Sequence, residues 1–194
     1  GGAPRMPAEA SVLALDTGPA NAPLNDSMMR TLNKSYDENG ALAAQGVADP
    51  NVVAQFLGDK YFVRPAPKSL DRDNFSYISK LVKGLSVEDA AATLTAIIVV
   101  GVSQALEHMP QFPKQIWVTG GGRKNTELMR LLQVALPMRV YDIDEVGFDG
   151  DMVEAQAFAY LAARVARGLP TSFSKTTGVD TPLSGGRISP AEAV

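Results

Sequence analysis

Two short stretches hold the residues whose types and spacing could do chemistry. The first is Asp16-Thr17-Gly18-Pro19-Ala20-Asn21, which follows the apolar run Ser11 to Leu15, read as a short buried strand. A carboxylate at a strand's carboxyl end, with a hydroxyl and a glycine behind it, can orient a nucleophile and offer backbone N–H groups to a phosphate. The same residues also spell an Asp-Gly-Pro turn in which Asp16 bonds its own backbone; local sequence leaves both readings open. The second stretch runs from Ile116-Trp117-Val118, a strand by residue type, through Thr119 into Gly120, Gly121 and Gly122. Three glycines let the backbone take positive φ and let a flat or anionic ligand approach without meeting a Cβ. Neither the dinucleotide fingerprint nor the P-loop spacing is present, so a plain tight turn competes with a nucleotide site.

Other polar residues are weaker candidates. Glu154 lies in the first turn of a helical segment, where a glutamate also simply complements the helix dipole. Lys68, Ser69 and Arg72 sit in a loop with two prolines and could meet an anion, or be solvated loop charges. His108, the only histidine, falls in the last turn of a long helix, where its structural role outweighs a catalytic one.

These residues need a scaffold, and the chain is apolar enough to build one. Its 194 residues are 45% hydrophobic, sufficient for a sizeable core, with a net charge of -3 and a pI near 5.2. Without a basic stripe, nucleic acid and anionic membranes are not expected partners; small soluble ligands are. The absence of cysteine and the single histidine leave only oxygen to hold a metal. No signal-peptide pattern opens the chain, which suits a cytoplasmic setting. The most apolar run, Ala90 to Val102, is short of the ~20 residues a membrane span needs and reads as a core helix.

The positioning elements follow in order. Leu24 to Lys34 reads as a helix capped by Asn25, Asp26 or Ser27, with Met28, Met29 and Leu32 inward. Asp49-Pro50 starts another that Gly58 stops. Phe75 to Lys83 is a short helix, and Ser86 caps the longest, which ends at Pro110. The glycine turn leads into a helix carrying Leu128, Leu131, Leu132, Ala135 and Leu136 on one face. Arg139 to Ile143 is a strand, and Met152 to Arg167 is an alanine-rich helix stopped by Gly168 and Pro170. The tail from 171 to 194 is irregular.

Taken in order, D-T-G-P-A-N, Y-D-E-N-G-A-L-A-A-Q-G, Y-F-V-R-P-A-P-K-S-L-D-R-D-N-F, V-T-G-G-G-R-K-N-T-E-L-M, G-F-D-G-D-M-V-E-A-Q-A-F-A-Y-L-A-A-R and G-L-P-T-S-F-S-K-T-T-G-V resemble the anhydro-N-acetylmuramic acid kinases, from Ala14 to Pro190. Six motifs in one order make the resemblance specific. It implies an α/β fold, a ribonuclease H-like lobe of the actin and sugar-kinase type, with a mixed sheet flanked by helices. It implies ATP and Mg²⁺ as cofactors, the metal held mainly by phosphates and water rather than by the protein. The family uses ATP and water to open 1,6-anhydro-N-acetylmuramic acid and phosphorylate its 6-oxygen in cell-wall recycling. Carried over by motif, Asp16 is the base that activates water. Thr17, Gly18, Gly120, Gly121, Gly122 and Asn125 lie about the nucleotide and its phosphates, and Asn21 and Glu154 about the sugar.

Two departures from the family stand out. Ala20 replaces a second glycine, and Asp26 is displaced by one residue, which leaves its role open along with that of the Lys68-Ser69 loop. No first phosphate-binding hairpin precedes Asp16, and the family is nearly twice as long. The expectation is therefore residues 1–194 as the carboxyl-terminal nucleotide-binding portion of a two-lobed kinase, inactive without its amino-terminal lobe and able to self-associate as a homodimer. A non-catalytic nucleotide-binding or interaction module on the same scaffold is the alternative. An acetate-type acid kinase fits the fold but not the V-E-A-Q-A-F-A motif.

Overall fold

A computed structural model describes residues 12–189, with only the backbone described at Arg72 and Asp73. The fold is built around one helix, α4 (Val87–Ala105). Ser86 caps it by accepting the Asp89 N–H, and Glu88 and Asp89 complement the dipole of its first turn. Extended by a 3₁₀ turn to His108, it is long and apolar enough to cross a membrane by composition, yet 67% of its most apolar window is buried inside the fold. Helices α1 (Ala22–Leu32), α2 (Pro50–Leu57) and α5 (Thr126–Ala135) all pack on it.

Two apolar clusters lie along α4. Its amino-terminal half, through Ala90, Ala91, Leu94 and Ile97, meets Leu24 and Met28 of α1, Val52 and Phe56 of α2, and a knot of rings at Tyr61, Phe62 and Phe75. Its carboxyl-terminal half, through Val99 and the following Leu106, meets Leu128 and Leu132 of α5. The strands β1 (Gln115–Val118) and β2 (Arg139–Asp142) complete that second cluster. They are parallel, pairing Gln115 with Arg139 and Val118 with Asp142, and α5 is the crossover between them.

The helix boundaries follow the sequence signals where a cap is explicit. Asp49 accepts from the Asn51 and Val52 N–H groups with Pro50 at the first helical position, and Gly58 ends α2. The cap of α1 differs from expectation: it is Asn21, because Pro23 tolerates the first turn and moves the start ahead of Asn25, Asp26 and Ser27. Met28 is buried as expected, but Met29 and Leu32 are exposed. Phe75 to Lys83 divides into a 3₁₀ turn, Arg72–Phe75, and the single-turn α3 (Ile78–Leu81).

The sheet also corrects an expectation. It is two-stranded and parallel rather than mixed among the described residues, and Val12 to Leu15 is not one of its strands; Ser11 lies outside the described residues. The backbone bonds here go elsewhere instead: the Ala14 N–H to the carbonyl of Lys175, in a single-turn helix near the carboxyl end, and the Asp16 N–H to the Lys68 carbonyl in a loop. Beyond β2, α6 (Val153–Ala166) forms as expected, with Gly168 at positive φ after it, but none of its residues is buried. The tail is irregular apart from the single-turn α7 (Ser174–Thr177) and a bridge between Ser172 and Leu183; residues 190–194 lie outside the described residues.

Candidate functional site

Asp16 is held from three directions. Its N–H donates to the Lys68 carbonyl at 2.9 Å, its own carbonyl accepts the Tyr61 hydroxyl at 2.7 Å, and its Oδ2 accepts the Leu70 N–H at 2.6 Å. Burial, then the nearby Asp16 charge, pushes the Tyr61 phenol up to about 12, so it remains a donor at neutral pH. Asp16 lines a hollow of about 320 Å³ together with Ala14, Leu15, Pro67, Lys68, Ser69, Thr176 and Thr177.

The next residues lie against the core helix. Gly101 of α4 has no Cβ where the Thr17 carbonyl passes; one built there would stand 2.6 Å from that oxygen. Gly18, at φ 150°, packs against the Phe56 ring. Ala20 stands at φ 47°, a left-handed conformation, and delivers Asn21 to the start of α1. Asn21 then reaches the glycine turn, its side-chain nitrogen 3.4 Å from where a Cβ of Gly122 would be.

Of the three glycines only the first has a conformational reason. Gly120 has φ 70°, which favours glycine; at Gly122 a Cβ would meet Asn21 and Leu128 at ordinary contact distance, and at Gly121 a Cβ would meet nothing within 4 Å. Gly121 therefore borders open space. That space is a pocket of about 470 Å³ shared with Asn21, Leu24, Asn25, Tyr36, Asp37, Glu38, Asn39, Lys124 and Asn125. Asn125 serves first as the cap of α5, accepting the Leu128 N–H at 2.9 Å. Its amide also packs against Gly40, at φ 71°, which locks the 36–40 loop to the helix start. Buried Asp37 fixes the other side of that loop by accepting the Leu42 and Ala43 N–H groups.

Beneath the glycine turn lies Arg123, its side chain only 3% exposed. It reaches Asp142, Asp144 and Asp151 and donates to the Gly120 carbonyl, while the absence of a Cβ at Gly150 leaves room for its guanidinium. The Gly150 carbonyl accepts both the Gly120 N–H and the Thr119 hydroxyl. Arg123, then Lys124, holds the Asp151 carboxyl well below the usual range; the Gly150 N–H, then Arg123, lowers that of Asp144.

The structure thus groups Asn21, Gly121 and Asn125 at one pocket and places Asp16 at another hollow, which shares no lining residue with the first. Glu154 is exposed on the first turn of α6 and lines neither; the side chain of Arg72 is outside the described residues. Tyr36, Glu38, Asn39, Lys124, Thr176 and Thr177 line the two spaces without having been singled out. Their only signal was membership in the quoted motifs. Among the described residues no group of three or more His, Cys, Asp or Glu converges to hold a metal, and Lys124, which lines the pocket, pairs with Asp151 at 2.6 Å.

Comparison with known proteins now bears on this geometry. The sequence profile of the family described as "AnmK: Anhydro-N-acetylmuramic acid kinase" matches residues 4–191. The chain belongs to the anhydro-N-acetylmuramic acid kinase family. A kinase of that name from Roseobacter denitrificans is 54% identical over 179 residues, covering 92% of this chain and 48% of its own length. Others from Ruegeria sp. and Rhodospirillum rubrum are 50% and 48% identical, covering 95% and 94% of this chain and 49% and 48% of theirs. The chain spans about half the length of these anhydro-N-acetylmuramic acid kinases.

Proposed function

We propose that this chain is the carboxyl-terminal, nucleotide-binding half of a cytoplasmic ATP-dependent kinase that hydrolytically opens 1,6-anhydro-N-acetylmuramic acid and yields N-acetylmuramic acid 6-phosphate in peptidoglycan recycling. The observation that carries the reading is the family match over residues 4–191, with the motif residue Asp16 held rigidly at the edge of a hollow. The chemistry balances simply. Water adds to the anomeric carbon, the bond from that carbon to O6 breaks, and O6 takes the γ-phosphoryl group as ADP leaves.

Asp16 Oδ2 is engaged by Leu70, while Oδ1 carries no hydrogen bond among the described residues and is the oxygen that takes the proton from water. Asn21 orients the sugar, and Glu154 joins it when the lobes close. Thr17 and Gly18 border the phosphates; the open side of Gly121, with Gly120, Gly122, Lys124 and Asn125, accommodates the nucleotide. Bound Mg²⁺ would neutralise phosphate charge, carried by the nucleotide and water. What these residues do is position and exclude, which is most of phosphoryl-transfer catalysis.

Two physical features favour a missing half. Parallel sheets are covered on both faces and extend beyond a single pair, yet β1 and β2 have no further strand among the described residues. Helix α6 is apolar nearly all round yet unburied, as expected of a helix that a second lobe covers. Its exposed Phe158, Tyr160 and Leu161 also provide a surface for a homodimer of the isolated chain.

The alternative of a non-catalytic module draws on Ala20, a strained alanine where the family more often has glycine. A coupled ADP assay with ATP, Mg²⁺ and the anhydro sugar separates the readings, run with and without a separately supplied amino-terminal half. Turnover only with that half supports the kinase reading, and Asp16→Asn should then lower kcat at least about 100-fold with ATP affinity retained. Robust turnover by this chain alone overturns the half-enzyme reading. Silence with the half bound and ATP binding retained favours the module.

A further inference from the structure

The loop that grips Asp16 is itself anchored by a buried lysine. Lys68 is only 7% exposed, and its ammonium does not face the hollow's anion-sized space as a free charge. Its Nζ donates to the Tyr61 carbonyl at 3.2 Å and the Phe62 carbonyl at 3.3 Å, and it lies 2.9 Å from His108 Nε2. It also stands 4.5 Å from the centre of the Tyr61 ring. His108 Nε2 also lies 3.2 Å from the Phe62 carbonyl; with Nε2 bare it accepts the shorter, 2.9 Å contact from Lys68, and the three acceptors then satisfy the three N–H bonds of the ammonium. His108 belongs to the 3₁₀ turn that extends α4, so Lys68 ties the 67–70 segment to the end of the core helix.

The consequences converge on Asp16. The Lys68 carbonyl accepts the Asp16 N–H, the Leu70 N–H two residues on holds Asp16 Oδ2, and Tyr61, whose carbonyl Lys68 grips, donates its hydroxyl to the Asp16 carbonyl. Every described bond that orients Asp16 therefore comes from a residue on, or clamped by, the Lys68 strut.

We infer that Lys68, braced by His108, is a positioning residue for the reaction: it carries no chemistry itself and sets the carboxylate of Asp16 in the geometry that activates water. This rests on the reading of Asp16 as the base. Burial first, then Arg64, lowers the affinity of the Lys68 amine for its proton. A methionine at this position would keep the stem's packing and lose every donor.

The test combines kinetics of the enzyme joined with its amino-terminal half and amide hydrogen exchange on this chain. Lys68→Met is expected to lower kcat about 10- to 100-fold with KM for ATP within about twofold, the size of effect that misplacing a reacting group produces. His108→Leu should behave the same way, and His108→Gln, whose side-chain oxygen can replace Nε2, should recover most of the lost rate. In both damaging variants the Asp16 and Leu70 amides should exchange at least about tenfold faster while Leu94 and Ile97 in α4 keep their protection.

Wild-type kcat in Lys68→Met, or equal damage from His108→Gln and His108→Leu, would overturn the inference. So would unchanged exchange at Asp16 and Leu70. If Lys68→Met does not fold, the His108 pair decides alone. Asp16→Asn run beside them separates the two claims: retained turnover there removes the base reading, whereas loss there with an unaffected Lys68→Met removes only the strut.

Discussion

Ala20 and Asn39 both stand at positive φ beside the candidate site, and of the two the alanine carries the greater strain, because asparagine tolerates that region. At φ 47° an L-residue's Cβ crowds the neighbouring backbone, at a cost of roughly 1–2 kcal/mol that glycine avoids. Glycine's greater freedom in the unfolded chain returns roughly 0.4–1 kcal/mol of that. Ala20→Gly should therefore stabilise the chain by about 1 kcal/mol, seen as a Tm rise of roughly 2–4 °C in a thermal melt; a lower Tm would show that the alanine methyl makes a compensating contact. At this scale Asp16 and the glycine turn stood out by residue type and Asn21 by the family resemblance alone. The burial of Lys68 and Arg123 was not legible. A buried cation is recognised by the acceptors around it, and those acceptors come from Tyr61, Phe62 and His108 in one case and Asp142, Asp144 and Asp151 in the other, distant in sequence.

Among the elements, the glycine turn depends on charge and the Asp16 segment on close packing. Asp144 and Asp151 have folded-state pKa values below their unfolded ones, so the stability they add is fully present above the ordinary carboxylate pKa of roughly 4 and is lost as pH falls through the folded values. The turn should loosen progressively below about pH 4. Trp117, the only tryptophan, stacks on Tyr141 at the strand pair that feeds the turn and reports the change in fluorescence. Asp151→Asn should flatten that acid transition, and an unaltered transition would assign it elsewhere. At the other segment, Gly101→Ala would put a methyl 2.6 Å from the Thr17 carbonyl and should destabilise by about 1–3 kcal/mol in urea unfolding, moving the Asp16 segment off α4. A sequence reader sees Gly101 as a weak spot in a helix. Its purpose is visible only when the crossing chain is.

For the molecule as a whole, the notable surface is α6 with the open strand pair. Phe158 is 66% exposed and Tyr160 45% exposed on a helix whose composition suits burial. The isolated chain should therefore bind a hydrophobic dye and self-associate in light scattering, and both signals should fall when the amino-terminal half is supplied. Dye binding unchanged by a half shown to associate would place the covering surface elsewhere.

The sequence by itself determined the helices with explicit caps, the strand-glycine-helix unit and the residues that carry the family resemblance. Those features are local: a cap, a proline or a run of glycines acts on the backbone within a few residues of itself. It also announced α4 as core, because a helix apolar on nearly every side has to be enclosed. Tertiary structure alone decided that Val12 to Leu15 meets the short helix α7 through Ala14 rather than pairing with a strand, since pairing depends on what lies alongside. It alone decided that Gly121 borders a pocket while Gly120 takes a left-handed turn, and that a lysine from one loop and a histidine from the end of α4 meet near the Asp16 segment. Such contacts join residues far apart in the chain, and no local pattern encodes the distance between them.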